Sequence, residues 1–223
     1  MTAIQNPIRG IQGSAASVWH CVVLCVALLS GSALAEDRWV EGQHYQILNP
    51  PVAVGRGDDV IVTEFFWYGC GHCYTFEPML TAWGKQLPEG AVVQPSPAVW
   101  NEPMRMHAKA YFIAEVLDVK ATMHPVIFDA MHVQRKRLTS RLELRDLFED
   151  NGVDPEQFDK AFESFGVDSQ VRQADSRARS AKISGTPSLM IAGKYLIETR
   201  AAGSQTNMLE IARFLVDKEL SAR

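Results

Sequence analysis

From Val60 to Tyr68 the chain is apolar almost without a break, with Thr63 and Glu64 as the interruptions. A near-continuous apolar run of this length reads as a strand buried on both faces of a sheet. The period then changes. Cys73, Phe76, Met79, Leu80, Trp83 and Leu87 recur at helical spacing, which predicts a helix opening near Cys70 and closing at Pro88-Glu89-Gly90. Pro78 falls inside that helix and is expected to kink it. Gln46-Ile47-Leu48 suggests a short strand before the turn-rich Asn49-Pro50-Pro51, and Ala91-Val92-Val93 opens a third strand.

The next stretch is helical in pattern. Met104 to Val119 has helical periodicity, and Val126 to Val133 reads as a short helix beginning after Pro125. Ser140-x-x-Glu143 is a capping box for a helix that ends at Asn151-Gly152. Asp154-Pro155 is a second start signal, with Asp as N-cap and Pro at the first helical position. Asp168 to Ile183 reads as helix, stopped by Gly185 and Pro187. Leu189 to Ile197 suggests two strands joined by a tight turn, and Asn207-x-x-Glu210 suggests the cap of a final helix. The resulting order, β-β-α-β, helices, α-β-β-α, predicts an α/β protein whose sheet is interrupted by an all-helical insertion.

Composition changes this picture mainly at the N-terminus. The 223-residue chain is 47% hydrophobic and 22% charged, ordinary globular values with length enough for a sizeable core. Residues 1–35, however, hold a single charge, Arg9. The apolar stretch Cys21 to Leu29 is followed by Ser30-Gly31-Ser32 and the A-x-A pattern Ala33-Leu34-Ala35. Nine apolar residues are too few to span a bilayer core of about 30 Å, so a cleaved signal peptide fits better than a membrane helix. The expected segments are therefore a signal peptide over 1–35, the first part of the sheet domain over 36–101, the helical insertion over 102–172 and the second part over 173–223. The net charge is −4, with no basic block, which gives no support to nucleic-acid binding.

Export would discard Cys21 and Cys25 and leave Cys70 and Cys73 as the one cysteine pair. A lone C-x-x-C is half of a structural zinc site, and Tyr74 rather than His follows Cys73, which argues against covalent haem. No metal and no cofactor are expected. At a strand-to-helix junction, Cys70 sits at the first turn and Cys73 one turn inward on the apolar stripe. Unsatisfied backbone N–H groups and the positive end of the helix dipole favour a thiolate at Cys70, the expected nucleophile, with Cys73 as resolving partner. An inert staple would close too small a loop to stabilise much. His72, between the two sulfurs, is placed to stabilise the thiolate. His44, His107, His124 and His132 show no metal spacing and read as surface or packing residues.

Glu64-Phe65-Phe66, Cys70-Gly71-His72-Cys73-Tyr74-x-Phe76-Glu77, Leu87-Pro88-Glu89-Gly90, and Gly185-Thr186-Pro187 followed by Gly193-Lys194-Tyr195 together resemble the DsbA family of exported thiol:disulfide oxidoreductases. The resemblance spans essentially the whole chain after residue 35. It implies a thioredoxin-like fold with an inserted helical domain, periplasmic residence, monomeric action on unfolded or partly folded exported cysteine-containing proteins, and reoxidation by a DsbB-type quinone-linked membrane oxidase. It further implies that Glu64 is buried and relays protons to Cys73, and that Pro187 is a cis-proline facing the cysteines. With Thr186, Pro187 would offer an extended edge for strand addition by substrate.

This chain has Gly71 where the best-known tetrad has Pro, Thr186 where many members have Val, and no lysine in Ala91 to Pro97 of the kind some relatives place near the buried glutamate. These departures leave open a weaker oxidant acting as reductase or isomerase. A substrate-binding chaperone with an incidental cysteine pair is the alternative from another class.

Overall fold

The structure, a computed structural model, describes residues 2–3, 38–55 and 57–223. Apart from Thr2 and Ala3, the expected export segment with Cys21 and Cys25 lies outside the described residues. A mixed five-stranded sheet in the order β1-β5-β4-β2-β3 organises the rest. β1 is Gln46–Ile47, β2 Val60–Phe66, β3 Ala91–Pro97, β4 Ser188–Ile191 and β5 Tyr195–Glu198. β2 pairs parallel with β3 and antiparallel with β4, which places the long apolar strand at the centre of the sheet. β3 carries Pro95 and Pro97 and forms one edge, where a strand tolerates residues without an N–H.

β4 and β5 are joined at Ala192-Gly193, whose φ values of +52° and +68° form a left-handed two-residue turn. Val52 O packs so close to Gly193 that a Cβ there would meet it at 1.9 Å, and Val52 N donates to Gly193 O. Only glycine fits this combination of left-handed φ and backbone approach.

The helix behind the tetrad, α1, spans Gly71–Gly84 and runs through Pro78. Five helices separate β3 from β4. They are α2 (Glu102–Val116), α3 (Lys120–His132), α4 (Arg141–Glu149), α5 (Pro155–Phe162) and α6 (Phe165–Ser180). After β5 come the short α7, Thr199–Ala202, and the terminal α8, Gln205–Ser221. The thioredoxin-like α/β architecture with inserted helices is thus as expected. α6 runs unbroken across residues 172 and 173, so the expected boundary there falls inside a helix.

Several expected ends move for identifiable reasons. β2 stops at Phe66, and Trp67 to Gly69 turn the chain into α1. α3 begins at Lys120 and carries Pro125 inside it, with Met123, Ile127, Phe128 and Ala130 buried along it. That burial offsets the hydrogen bond the proline removes. α6 starts earlier than Asp168 because Ser164 caps it through Val167 N, 3.2 Å away, and it ends before Ile183. α8 is capped by Ser204, which accepts from Asn207 N at 3.0 Å, so Asn207 is not the cap. The Ser140/Glu143 capping box and the Asp154 cap are as read.

Two apolar layers cover the sheet. Val60 and Val62 pack with Phe76 and Leu80 of α1 and with Met208, Ile211 and Leu215 of α8. Phe65 and Met190 pack on the other side with Met104, Ala178 and Ala181. The core of the helical block (Tyr111, Ile113, Phe128, Phe148, Phe158) continues without a gap into Phe66, Tyr68 and Cys73. Trp39–Arg223 is accordingly one compact unit.

Candidate active site

The end of β2 is closed by a turn in which Cys70 N donates to Trp67 O at 2.9 Å, and α1 starts at once. Cys70 is the N-cap. Its backbone is extended (φ −89°, ψ 112°), and its sulfur accepts from Cys73 N at 3.3 Å, the role a Ser or Asp oxygen fills elsewhere. The His72 amide adds a second backbone donor, and the Cys73 thiol donates from its own side. The Cys73 thiol, with Thr186 and the amides of Cys73 and His72, outweighs partial burial and lowers the Cys70 thiol to about 5. Cys73 sits in the opposite environment. Fully buried one turn inward, its thiol is pushed far up by desolvation and by the neighbouring Cys70 and Glu64 charges. The pair is therefore polarised, with an outer sulfur that ionises readily and an inner one that holds its proton.

Thr186 and Pro187 approach from the start of β4, where Ser188 is paired with Phe65. The Thr186–Pro187 peptide is cis, and Cys70 Sγ lies 3.3 Å from Thr186 O. The Thr186 side chain favours the thiolate on each sulfur. Thr199 donates to Pro187 O at 3.0 Å and holds this segment in place. His72 is exposed at the mouth of the site. Its carbonyl accepts from Gln205 Nε2 at 2.6 Å and Thr75 Oγ1 at 3.0 Å, which ties the exposed turn to α8.

Glu64 lies beneath. Strand alternation puts it on the face shared by Val60 and Val62, towards α1. It is wholly buried, and neither carboxylate oxygen has a hydrogen-bond partner. Desolvation raises its carboxyl well above the usual range, and the Glu77 and Cys70 charges raise it further. Burial thus favours the protonated carboxyl, which suits it to give a proton to a neighbouring thiolate.

The structure thus brings Cys70, Cys73 and Thr186 together with Pro187 next along the chain, buries Glu64 on the strand that leads into the site, and leaves His72 exposed at the rim. Two further residues belong to the same cluster. Glu77, one turn beyond Cys73 on α1, meets His124 from α3, with Nε2 and Oε2 3.3 Å apart in a contact whose angles do not make a hydrogen bond. Burial works against the Glu77 anion, but His124 and Thr81 hold its carboxyl below the ordinary range. Glu77 was visible in the Tyr74-x-Phe76-Glu77 string. His124 was not, because only the fold brings it across fifty residues. The expectation that His107 and His124 are surface or packing residues holds only in part, since both are buried and both bond to side chains at the end of β2. His107 Nδ1 accepts from Trp67 Nε1 at 2.8 Å, and His124 Nδ1 lies 2.6 Å from the Tyr68 hydroxyl.

Among the described residues, no three His, Cys, Asp or Glu side chains cluster as metal ligands, and no helix is long and apolar enough to cross a membrane.

Comparison with known proteins bears directly on this cluster. A family described as DSBA-like thioredoxin domain matches residues 97–208. The thiol:disulfide interchange protein DsbA of Pseudomonas aeruginosa is 32% identical over 200 residues, spanning 90% of this chain and 95% of that protein. Its counterpart in Azotobacter vinelandii is 36% identical over 182 residues, 82% of this chain and 85% of that one. Among solved structures, the crystal structure of Pseudomonas aeruginosa DsbA aligns with a TM-score of 0.80 at 32% identity, covering 84% of this chain and 97% of that one. The oxidoreductase DsbA from Xylella fastidiosa aligns with a TM-score of 0.77 at 26% identity, covering 82% and 98%.

Proposed function

This chain belongs to the DsbA family of thiol:disulfide interchange proteins and is a thiol:disulfide oxidoreductase, and we propose that Cys70 and Cys73 are the pair through which it introduces disulfides into other proteins. In the oxidised enzyme the two sulfurs are bonded to each other. A substrate thiolate attacks Cys70, the Cys70–Cys73 bond breaks, and Cys73 leaves with the electron pair. Glu64 supplies its proton. A second substrate thiolate then attacks the substrate sulfur of the mixed disulfide and releases Cys70 as a thiolate. Two electrons pass from the substrate dithiol to the enzyme; both substrate protons go to solvent as the thiolates form, and one proton returns from solvent to Glu64 in place of the one it gave Cys73.

The observation that carries this reading is the placement of the Cys70 sulfur as the cap of α1, where backbone donors stabilise the anion. Stabilising the reduced thiolate makes the disulfide a stronger oxidant. His72 adds its imidazole to the exposed side of the leaving sulfur. Thr186 and Pro187 offer backbone to an extended substrate segment by strand addition.

The N-terminal pattern of residues 1–35 and the family both favour export to the periplasm with cleavage after Ala35. The substrates would then be unfolded or partly folded exported proteins with paired cysteines, and a DsbB-type quinone-linked membrane oxidase would restore the disulfide of a monomeric enzyme. The division into two thioredoxin-like parts around a helical insertion is retained, with α6 shared between them.

Equilibration of the protein after residue 35 with glutathione tests the direction of the chemistry. DsbA itself is known at about −120 mV and the eukaryotic isomerase, which shares the C-G-H-C tetrad, at about −180 mV, a separation of roughly 2.8 kcal/mol. The expected potential lies in that interval or at its oxidising end. A value near the −270 mV or so of thioredoxin would make this chain a reductant and overturn the proposal.

A further inference from the structure

Two histidines of the helical block hold the turn that leads into Cys70. His107 of α2 accepts from Trp67 Nε1 at its Nδ1, 2.8 Å away, and its Nε2 lies 3.0 Å from the Arg137 carbonyl. A carbonyl can only accept, so the ring proton sits on Nε2 and both nitrogens are engaged. His132, the last residue of α3, donates from Nε2 to the Tyr68 carbonyl at 2.7 Å. Its ring stacks on Tyr74, the residue after the tetrad, with centroids 4.7 Å apart. The segment from Val133 to Arg137 is therefore fastened at both ends to residues that border the cysteines. Trp67 and Tyr68 lie just before them along the chain, and Tyr74 just after.

The loop itself is tightly made. Gln134 N donates to Asp129 O at 3.1 Å, Lys136 N donates to Ala130 O at 2.9 Å, and Leu138 is fully buried in the helical core. This leaves Arg135, Lys136 and Arg137 exposed, and among the described residues none of the three is ion-paired. The acids on either side are engaged elsewhere. Asp129 accepts from the Tyr74 hydroxyl at 3.0 Å, and Glu143 is held in the capping box of α4. The next cation, Arg141, is itself committed to Asp159 and Glu163 at 2.9 and 2.7 Å. From Ala130 to Leu142 the chain has no acidic residue, although its net charge is −4. Three cations in a row are too few to stand out as a basic block in the sequence. The fold sets them beside the redox site.

We propose that Arg135, Lys136 and Arg137 form a cationic lip of the redox site that selects polypeptide segments with Asp or Glu beside the reacting cysteine. This deepens the oxidoreductase reading and rests on it. A substrate cysteine that attacks Cys70 brings its neighbours along the chain with it, spaced about 3.3 Å apart when extended. Acidic neighbours then meet the lip, where an Arg fork can take a carboxylate through two N–H donors. Opposite charge also raises the encounter rate and disfavours basic segments. Three cations fall short of the cluster of about four to eight that marks a site for an anionic lipid surface. Their place beside the cysteines suits a segment that has to reach Cys70.

The rates at which the oxidised protein oxidises two-cysteine peptides test this selection. The peptides share one sequence, with the residues flanking the reacting cysteine acidic (Asp, Glu) in one, neutral (Asn, Gln) in the second and Lys in the third. At about 10 mM salt, where the screening length is about 30 Å, the acidic peptide should react about three- to tenfold faster than the neutral one, the size of one or two exposed ion pairs. The Lys peptide should be slower than both. At about 1 M salt the acidic-to-neutral ratio should fall towards one. The triple variant Arg135→Gln, Lys136→Gln, Arg137→Gln should bring that ratio near one at low salt, whereas Arg135→Lys with Arg137→Lys keeps the charge and should keep the ratio. Equal rates for the acidic and neutral peptides would overturn the proposal and leave the oxidase reading intact, as would a ratio that survives the triple variant. A protein that oxidises none of the three peptides would overturn the oxidase reading and the proposal with it. Equal peptide rates, with co-sedimentation on phosphatidylglycerol vesicles that the triple variant loses, would assign the lip to a lipid surface and overturn the selection of acidic segments.

Discussion

Thr186 shows how one residue acts on both sulfurs, because its side chain favours the thiolate on each while its carbonyl lies 3.3 Å from Cys70 Sγ. Replacing it with Val removes the hydroxyl donor and keeps the shape. A hydrogen bond of this kind contributes about 0.5–1.5 kcal/mol, and 1.36 kcal/mol corresponds to one unit. Thr186→Val should therefore raise the Cys70 titration by about half to one unit and make the protein a weaker oxidant, as read by thiolate absorbance and by glutathione equilibrium. A lower Cys70 titration would contradict this assignment. At this scale the sequence was informative where chemistry and local spacing coincide. Cys70, Cys73 and Glu64 are all visible as a motif or as a charge inside an apolar run. The approach of the Thr186 carbonyl to the Cys70 sulfur, the Gln205 bond to the His72 carbonyl and the His124–Glu77 contact were not visible, since each joins residues brought together only by tertiary packing.

α1 explains why the tetrad works as a unit. A cysteine in the N-cap position must have extended backbone and must face the first amides of the helix, so the cap geometry and the thiolate's donors are the same atoms. Gly71 occupies the first helical position. A Cβ added there meets nothing within 4 Å, and the amides that face the Cys70 sulfur are those of His72 and Cys73. Proline suits that position, since its missing N–H has no intrahelical partner there. Gly71→Pro should thus fold and gain about 0.4–1 kcal/mol through a less flexible unfolded chain, measured by urea unfolding of the reduced protein. A loss of stability would mean that the Gly71 amide serves the site after all. Strands, capping boxes and helix stripes were legible because they are local patterns. Pro125 and Asn207 misled for a physical reason. Burial of one face carries α3 through its proline, and Ser204 competes successfully for the cap of α8.

Across the whole molecule, the sheet order brings the start of β4 beside the end of β2, which is what sets Thr186 and Pro187 against the first turn of α1. The core of the helical block includes Cys73 and Tyr68, so the insertion is packed onto the redox centre as part of one body. The sequence indicated that helices are inserted. Their docking depends on faces of α2, α3 and α6 whose partners lie far away along the chain. The central claim is that this assembly stabilises the Cys70 thiolate while keeping Cys73 protonated. A Cys70 thiol lowered in the folded state adds stability to the reduced protein above the ordinary thiol value of about 8.5, and this stability is lost as pH falls through about 5. The most direct test is titration of thiolate absorbance in the reduced protein with iodoacetamide reactivity at Cys70 followed alongside. The structure predicts a single ionisation near pH 5 assigned to Cys70, with Cys73 silent through the neutral range. A Cys70 that ionises near 8.5, as a free cysteine does, would contradict it.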